Sequence, residues 1–342
     1  MRAAVYYAND DVRVEEMPLP RIGPGELLVK VIASGICGSD VMEWYRLGKA
    51  PLVLGHEIAG EVAAVGDGVG SWSAGDRVVV SHHVPCNTCR YCHAGRHTLC
   101  RTLRTTNFDP GGFAEYVRVP AINLESGGVL RLPESLSFEE ATFVEPLGCV
   151  VRSFETAGFR RGGSTLVLGS GISGLLHVKL GKALGCSRLI AADVNEWRLE
   201  AATRFGADVA VDARENVSVA VQEANEDRGA DYVFVCTAAP PALETAVGSV
   251  EEGGTIVLFA PYEPGTRFSM PIDELWRRQV TIVSTYAAAP EDLVSALELI
   301  GSGRVGVGDM ITHRLGLEQT AWGFELVARA QESLKVIVEP HR

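Results

Sequence analysis

Two kinds of apolar pattern divide the chain. In roughly the first 150 residues the apolar runs are short and rich in β-branched side chains: LLVKVIAS (27–34), EVAAVG (61–66) and DRVVVS (76–81). Glycine and proline separate them, as at Pro18, Pro20, Gly23, Pro24 and Gly25. This spacing predicts a small, mostly antiparallel β domain. The pattern then changes. TLVLGS (165–170) is a continuous apolar strand, and the following GISGLLHVKLGKALG (171–185) sets Leu175, Leu176, Val178 and Leu180 on one side of a helix. RLIAADV (188–194), DVAVDA (208–213), DYVFVCT (231–237) and GTIVLFA (254–260) are further strands. Helical stretches such as WRLEAATRFGA (197–207) lie between them. Strands alternating with helices predict a parallel sheet with right-handed crossovers. The C-terminal stretch is mixed: a helix from 291 ending at Gly301, a helix over 317–331 and a last strand over 334–340. No internal repeat interrupts this order.

Composition narrows the partners. A chain of 342 residues corresponds to about two domains at ~150 residues each. With 31 basic and 43 acidic residues the net charge is −12. A field of that sign repels nucleic acid and anionic lipid, so neither is an expected partner. A phosphate-bearing ligand must then be held locally, by a helix N-terminus or a placed arginine. No apolar run reaches the ~18 residues of a membrane span. Asp10 and Asp11 come too early for a signal-peptide core. The expectation is a soluble, cytoplasmic protein. In that compartment eight cysteines, several of them clustered, point to metal more than to disulfides.

Gly169-Ser170-Gly171-Ile172-Ser173-Gly174 is a G-x-G-x-x-G sequence that closes an apolar strand and opens a helix. Gly169 permits the tight turn, Gly171 the approach of a pyrophosphate, and Gly174 close helix–strand packing. Asp193 ends the next strand. There it can accept hydrogen bonds from an adenosine ribose and repel a 2′-phosphate, which favours NAD over NADP. Arg198 falls near the same ribose or the adenine. The competing reading is a strand–helix turn with a capping aspartate and no ligand.

Cys86-x2-Cys89-x2-Cys92-x7-Cys100 places four thiolates within fifteen residues, the pattern of a closed, tetrahedral structural zinc site. An iron–sulfur cluster and disulfides are the alternatives, the first lacking a ferredoxin-type run. A second set mixes donor types: Cys37 in GICGSD, His56 and Glu57 in GHEIAG, and Glu145 in VEPL. Sulfur, nitrogen and oxygen donors of this kind leave a coordination position for water or substrate. Taken singly, Cys37 reads as a small buried hydrophobe and His56 as an ordinary histidine. The joint pattern overturns that.

Together these residues resemble the zinc-dependent medium-chain dehydrogenase/reductase family over essentially the whole chain. GHEIAGEVAAVGDGV (55–69) fits the family's zinc signature G-H-E-x2-G-x5-G-x2-V at every fixed position. Cys37-Gly38-Ser39-Asp40, Glu145-Pro146-Leu147 and Asp193-Val194-Asn195-Glu196-Trp197-Arg198-Leu199 look most like its sorbitol (polyol) and threonine dehydrogenases. The resemblance implies an α/β chain of two domains. One is a discontinuous GroES-like β domain with the catalytic zinc (1–150 and 286–342). The other is a Rossmann doubly wound parallel sheet that binds NAD (151–285). It implies Cys37, His56 and Glu57 as ligands of a catalytic zinc, with Glu145 binding directly, through water or by exchange with Glu57. Asp40 would orient His56 or simply cap the helix after Cys37. With the Cys86, Cys89, Cys92 and Cys100 site, two zinc ions per chain are expected.

Ser39 would accept the substrate proton, and Phe259 and Thr285 would lie along the nicotinamide. Relatives place a relay histidine where this chain has Met42, so the relay would end at Ser39 and the ribose or use Glu43. His83 matches a histidine near the active site of threonine dehydrogenases, or is a packed loop residue. The implied reaction is hydride transfer between a secondary alcohol (polyol, sugar or amino alcohol) and NAD, giving ketone and NADH. A primary-alcohol dehydrogenase and a catalytically silent nucleotide-binding relative are the alternatives. A homodimer or homotetramer joined through the Rossmann sheets is expected.

Overall fold

The computed structural model describes residues 1–342, which divide into two compact units: Met1–Gly148 with Ala287–Arg342, and Cys149–Tyr286.

The first unit is built on Leu27–Gly35, whose Leu27, Val29, Val31 and Ala33 are fully buried. This strand lies at the centre of a seven-stranded sheet. The spatial order is Ile311–Gly316, Lys335–Glu339, Leu27–Gly35, Glu57–Val65, Arg77–Ser81 and Val129–Arg131, with Tyr116–Val119 also paired to Leu27–Gly35. All pairings are antiparallel except the one between Ile311–Gly316 and Lys335–Glu339. A three-stranded sheet of Asp11–Glu16, Arg2–Ala8 and Leu52–Val53 accompanies it.

Register is what positions chemistry here. Gly35 pairs with Glu57 and Glu57 with Ser81, while Ile337 pairs with Gly35. The end of one strand, the start of the second, the end of the third and the start of the last therefore meet at one end of the sheet. Cys37, His56, His82 and Lys335 flank those positions. The strand over 57–65 begins at Glu57 rather than at Glu61. The small residues before Glu61 permit this: a Cβ on Gly60 would stand 2.1 Å from the Lys30 carbonyl oxygen.

The second unit is a six-stranded sheet in the order Val209–Asp212, Leu189–Asp193, Thr165–Leu168, Ala230–Val235, Val250–Leu258 and Thr281–Ser284. Every pair is parallel. The chain starts in the middle, winds outward one way and then the other. The topological switch thus falls at the end of Thr165–Leu168, where the glycine sequence sits. Apolar packing is continuous across this sheet. Leu166, Ile190, Val233, Val235 and Ile256 form one buried cluster with Val217, Val221 and Val247 from the flanking helices.

Some elements differ from the sequence pattern. The helix Val144–Thr156 leaves no clear mark in it. The strand expected over 254–260 runs Val250–Leu258. The segment 317–331 is a 3-10 turn, Leu317–Gln319, and then the helix Thr320–Arg329, which stops where Ala330 takes a left-handed conformation.

Candidate metal and dinucleotide sites

The ligand atoms of Cys37, His56 and Glu57 all lie within 4.8 Å of one another. Cys37 caps the 3-10 turn Gly38–Val41: its Sγ accepts from the Ser39 N–H at 3.4 Å. Asp40 contacts both of the groups that its two expected roles name. Its Oδ2 accepts from the Cys37 N–H at 3.1 Å, while its Oδ1 lies 3.3 Å from His56 Nδ1 and 3.2 Å from Arg46 Nη2. Burial would raise Asp40, but the charge and hydrogen bond of His56, with Arg46 and the Cys37 N–H, outweigh it and hold the carboxyl below its usual range. With Nδ1 engaged, His56 presents Nε2 to a ligand. Sulfur, imidazole and carboxylate donors converging from two paired strand ends suit a zinc ion with an open position.

Glu57 has a second partner. The Lys335 ammonium lies 2.5 Å from Glu57 Oε2, and both side chains are almost wholly buried. Lys335 also sits 5.0 Å above the Phe143 ring. This approach requires Gly35, where a Cβ would stand 2.3 Å from Glu57 Oε2 and 2.5 Å from Lys335 Nζ. Glu145 occupies the first turn of the helix Val144–Thr156 and is half-buried. It is not one of the three residues whose ligand atoms cluster. Ser39 is half-buried, and its Oγ accepts from Arg46 Nη2 at 3.1 Å. Glu43 is exposed. His82 and His83 stack on each other with centroids 3.7 Å apart, and His82 lies 4.8 Å from His56. Burial, then the neighbouring positive groups, lowers both, His83 to about 3.

The four clustered cysteines also converge, with ligand atoms within 4.8 Å of one another. Cys89 Sγ is 3.5 Å from Cys92 Sγ, and Cys100 Sγ is 3.6 Å from Cys86 Sγ. A tetrahedron of Zn–S bonds of about 2.3 Å has edges of about 3.8 Å, so these spacings suit zinc, and they are far too long for disulfides. Thr88, through its hydroxyl and backbone N–H, lowers Cys86 to about 5, which favours the thiolate a metal needs.

In the second unit, Gly169 has φ +93 and Gly174 packs so close that a Cβ would stand 1.8 Å from the Gly169 carbonyl oxygen. Gly171 caps the helix Ile172–Leu184, and a Cβ there would meet only Arg198 Nη1, at 3.8 Å. The backbone is thus open to a ligand at the N–H donors that begin the helix. Asp193 Oδ2 accepts from the Ser170 N–H at 2.6 Å and Oδ1 from the Asn195 N–H at 2.9 Å. Arg198 Nε and Thr285 Oγ1 are buried without a partner. An open glycine turn with a guanidinium nitrogen that lacks a partner beside it fits a dinucleotide. Phe259 follows the strand Val250–Leu258, its N–H bonded to the Val235 carbonyl at 3.2 Å. Its ring meets His177 edge-on at 4.7 Å. His177 is fully buried, held between Ser153 Oγ (2.8 Å) and the Ser173 carbonyl oxygen (2.7 Å). Burial lowers it to about 4.

Two of these residues, His177 and Arg46, lie outside the motifs of the sequence. Lys335 falls in the Lys335-Val336 pair that resembles the family's ending, and stands out as a lone charge inside the apolar run of the last strand. His177 leaves one signal, a histidine between Leu176 and Val178 on a buried helix. Arg46 leaves none.

Residues 23–129 match the family model of the alcohol dehydrogenase GroES-like domain, and residues 173–302 match that of the zinc-binding dehydrogenases. Sorbitol dehydrogenase of Bacillus subtilis is 32% identical over 100% of this chain and 98% of its own length. D-altritol 5-dehydrogenase of Agrobacterium fabrum is 34% identical over 93% and 94%. Among solved structures, a zinc-binding dehydrogenase of Sinorhizobium meliloti bound to NADP superposes with a TM-score of 0.87 at 27% identity, covering 99% of both chains. An Escherichia coli alcohol dehydrogenase complexed with NADH does so with a TM-score of 0.88 at 27% identity, also over 99% of both. The chain belongs to the zinc-binding, medium-chain alcohol dehydrogenase family. Within it, the similarity runs to dehydrogenases of polyols and other secondary alcohols, and the chain is an oxidoreductase.

Proposed function

We propose that the protein oxidises a secondary alcohol of the polyol, sugar or amino-alcohol type with NAD, using a catalytic zinc held by Cys37, His56 and Glu57. A second zinc, held by Cys86, Cys89, Cys92 and Cys100, keeps its lobe folded. The observation that carries this reading is the converging Cys37–His56–Glu57 set with Asp40 behind His56. When bound, the metal lowers the pKa of the substrate hydroxyl and the nicotinamide accepts the hydride. The chain's own residues do the rest. Asp40 fixes the ring and tautomer of His56. Lys335 offsets the charge of Glu57. Ser39 Oγ accepts the hydroxyl proton as general base.

Gly171 and the helix N-terminus take the pyrophosphate, and Asp193 takes the adenosine ribose. The Ser170 and Asn195 N–H groups hold the Asp193 carboxylate at the end of its strand, and a carboxylate there would repel a 2′-phosphate, which supports NAD over NADP. Phe259 and Thr285 line the nicotinamide. The protein works as a homodimer or homotetramer in the cytoplasm. The test is NADH formation at about 340 nm over a panel of polyols, sugars, amino alcohols and primary alcohols, run with NAD and with NADP. Zinc content is measured on the same sample. Turnover of secondary alcohols with NAD and two zinc ions per chain is expected; turnover with no zinc bound would overturn the reading.

A further inference from the structure

Arg46 folds back onto the turn that follows Cys37. Its Nε donates to the Ser39 carbonyl at 2.9 Å, and its Nη2 donates to Ser39 Oγ at 3.1 Å and lies 3.2 Å from Asp40 Oδ1. The side chain is 13% exposed, and its guanidinium carbon lies 4.6 Å from the Tyr45 ring centre. These are three contacts to two residues, made by a planar fork whose geometry suits such a clamp.

A serine hydroxyl has one proton to give and two lone pairs to receive. With Arg46 on one lone pair, one remains for an incoming hydroxyl, and the Ser39 proton must point elsewhere. Without Arg46 the hydroxyl is free to turn. Met42, at the place of the relay histidine, carries no proton, and exposed Glu43 makes no hydrogen bond to Ser39. A guanidinium keeps all its protons, so Arg46 is not a relay member. It is a fixed positive charge that donates to Ser39 Oγ and offsets the negative charge left there as the serine's own proton departs.

We infer that Arg46 is the positioning residue for Ser39: it locks the hydroxyl as proton acceptor and stabilises its oxygen, so that the relay needs no histidine. This rests on the proposed role of Ser39. The substrate hydroxyl proton passes to Ser39 Oγ as the proton already on Ser39 passes to water, and Arg46 keeps all of its own.

The experiment compares the zinc-loaded full chain with Arg46→Met, Arg46→Lys, Arg46→Ala, Ser39→Ala and the double variant Ser39→Ala/Arg46→Met. In Arg46→Met, kcat is expected to fall roughly tenfold to a hundredfold, the range a charge-assisted hydrogen bond supplies. The alcohol KM, zinc content and melting temperature should stay close to those of the unmodified chain. The solvent deuterium isotope effect on kcat should rise. Arg46→Lys should recover part of the rate, and added guanidinium ion should do the same for Arg46→Ala. The double variant should be no slower than Ser39→Ala, because Arg46 acts through Ser39. A normal kcat in Arg46→Met beside a slow Ser39→Ala overturns this inference alone. So does a loss of rate matched by a loss of zinc, or one that neither lysine nor guanidinium relieves. An unmodified enzyme that oxidises no alcohol, or a Ser39→Ala that turns over normally, overturns the proposed function and its role for Ser39 instead.

Discussion

At the residue scale the side chains that converge as candidate ligands stand out in local patterns because each sits in a short run with a strict spacing: GICGSD, GHEIAG and the CxxCxxC cluster. Their supports do not. Lys335 is 278 residues away from Glu57, and only the folded register of the last strand brings them together. The buried Lys335–Glu57 pair makes a testable demand. Breaking a buried ion pair from one side strands the other charge, at a cost of about 3–5 kcal/mol. Lys335→Met should therefore lower the unfolding free energy of the chelator-treated protein by about that amount in urea titrations. Lys335→Met/Glu57→Gln should recover most of the loss, since no lone charge is then buried. Equal stability of the single and double variants would show that the ion pair is not what Lys335 contributes.

Elements are most legible where one pattern persists. The central parallel strands, such as Thr165–Leu168 and Leu189–Asp193, are buried along their whole length, so they read as continuous apolar runs. The helix Val144–Thr156 is hidden because Glu145 and Pro146 at its start read as a motif rather than a helix. The cysteine lobe shows the opposite limit. Its regular structure is one short helix, Arg90–His93, and one 3-10 turn, His97–Leu99. Its buried residues are Cys92, Cys100 and Leu103. So small a cluster does little to offset the ordering entropy of the segment, and the proposed zinc would supply the rest. Cys89→Ala is therefore expected to lose one zinc per chain and to raise amide exchange and protease cleavage over residues 86–104. The alcohol KM of the surviving enzyme should stay near that of the unmodified chain. A lobe that stays protected in Cys89→Ala would mean that packing alone orders it.

On the scale of the whole molecule, the sequence pattern shows that the last strand is a strand, but not that Lys335–Glu339 pairs with Leu27–Gly35. Pairing partners far apart in sequence leave no local trace. The same holds for contacts with other copies, yet the surface of the second unit carries a physical cue. Thr281–Ser284 pairs on one side only, as the edge of the six-stranded sheet. The adjoining helix Ile272–Arg277 exposes Ile272 at 65% and Trp276 at 76%. A free strand edge beside a large exposed indole suits pairing with another chain. A two-fold axis would pair it with its own copy. If this edge joins the proposed homo-oligomer, Trp276→Glu places a charge in its apolar part. It should then shift the mass in sedimentation equilibrium from a multiple of 36.6 kDa toward 36.6 kDa, with zinc content unchanged. A variant that sediments like the unmodified chain would place the association surface elsewhere.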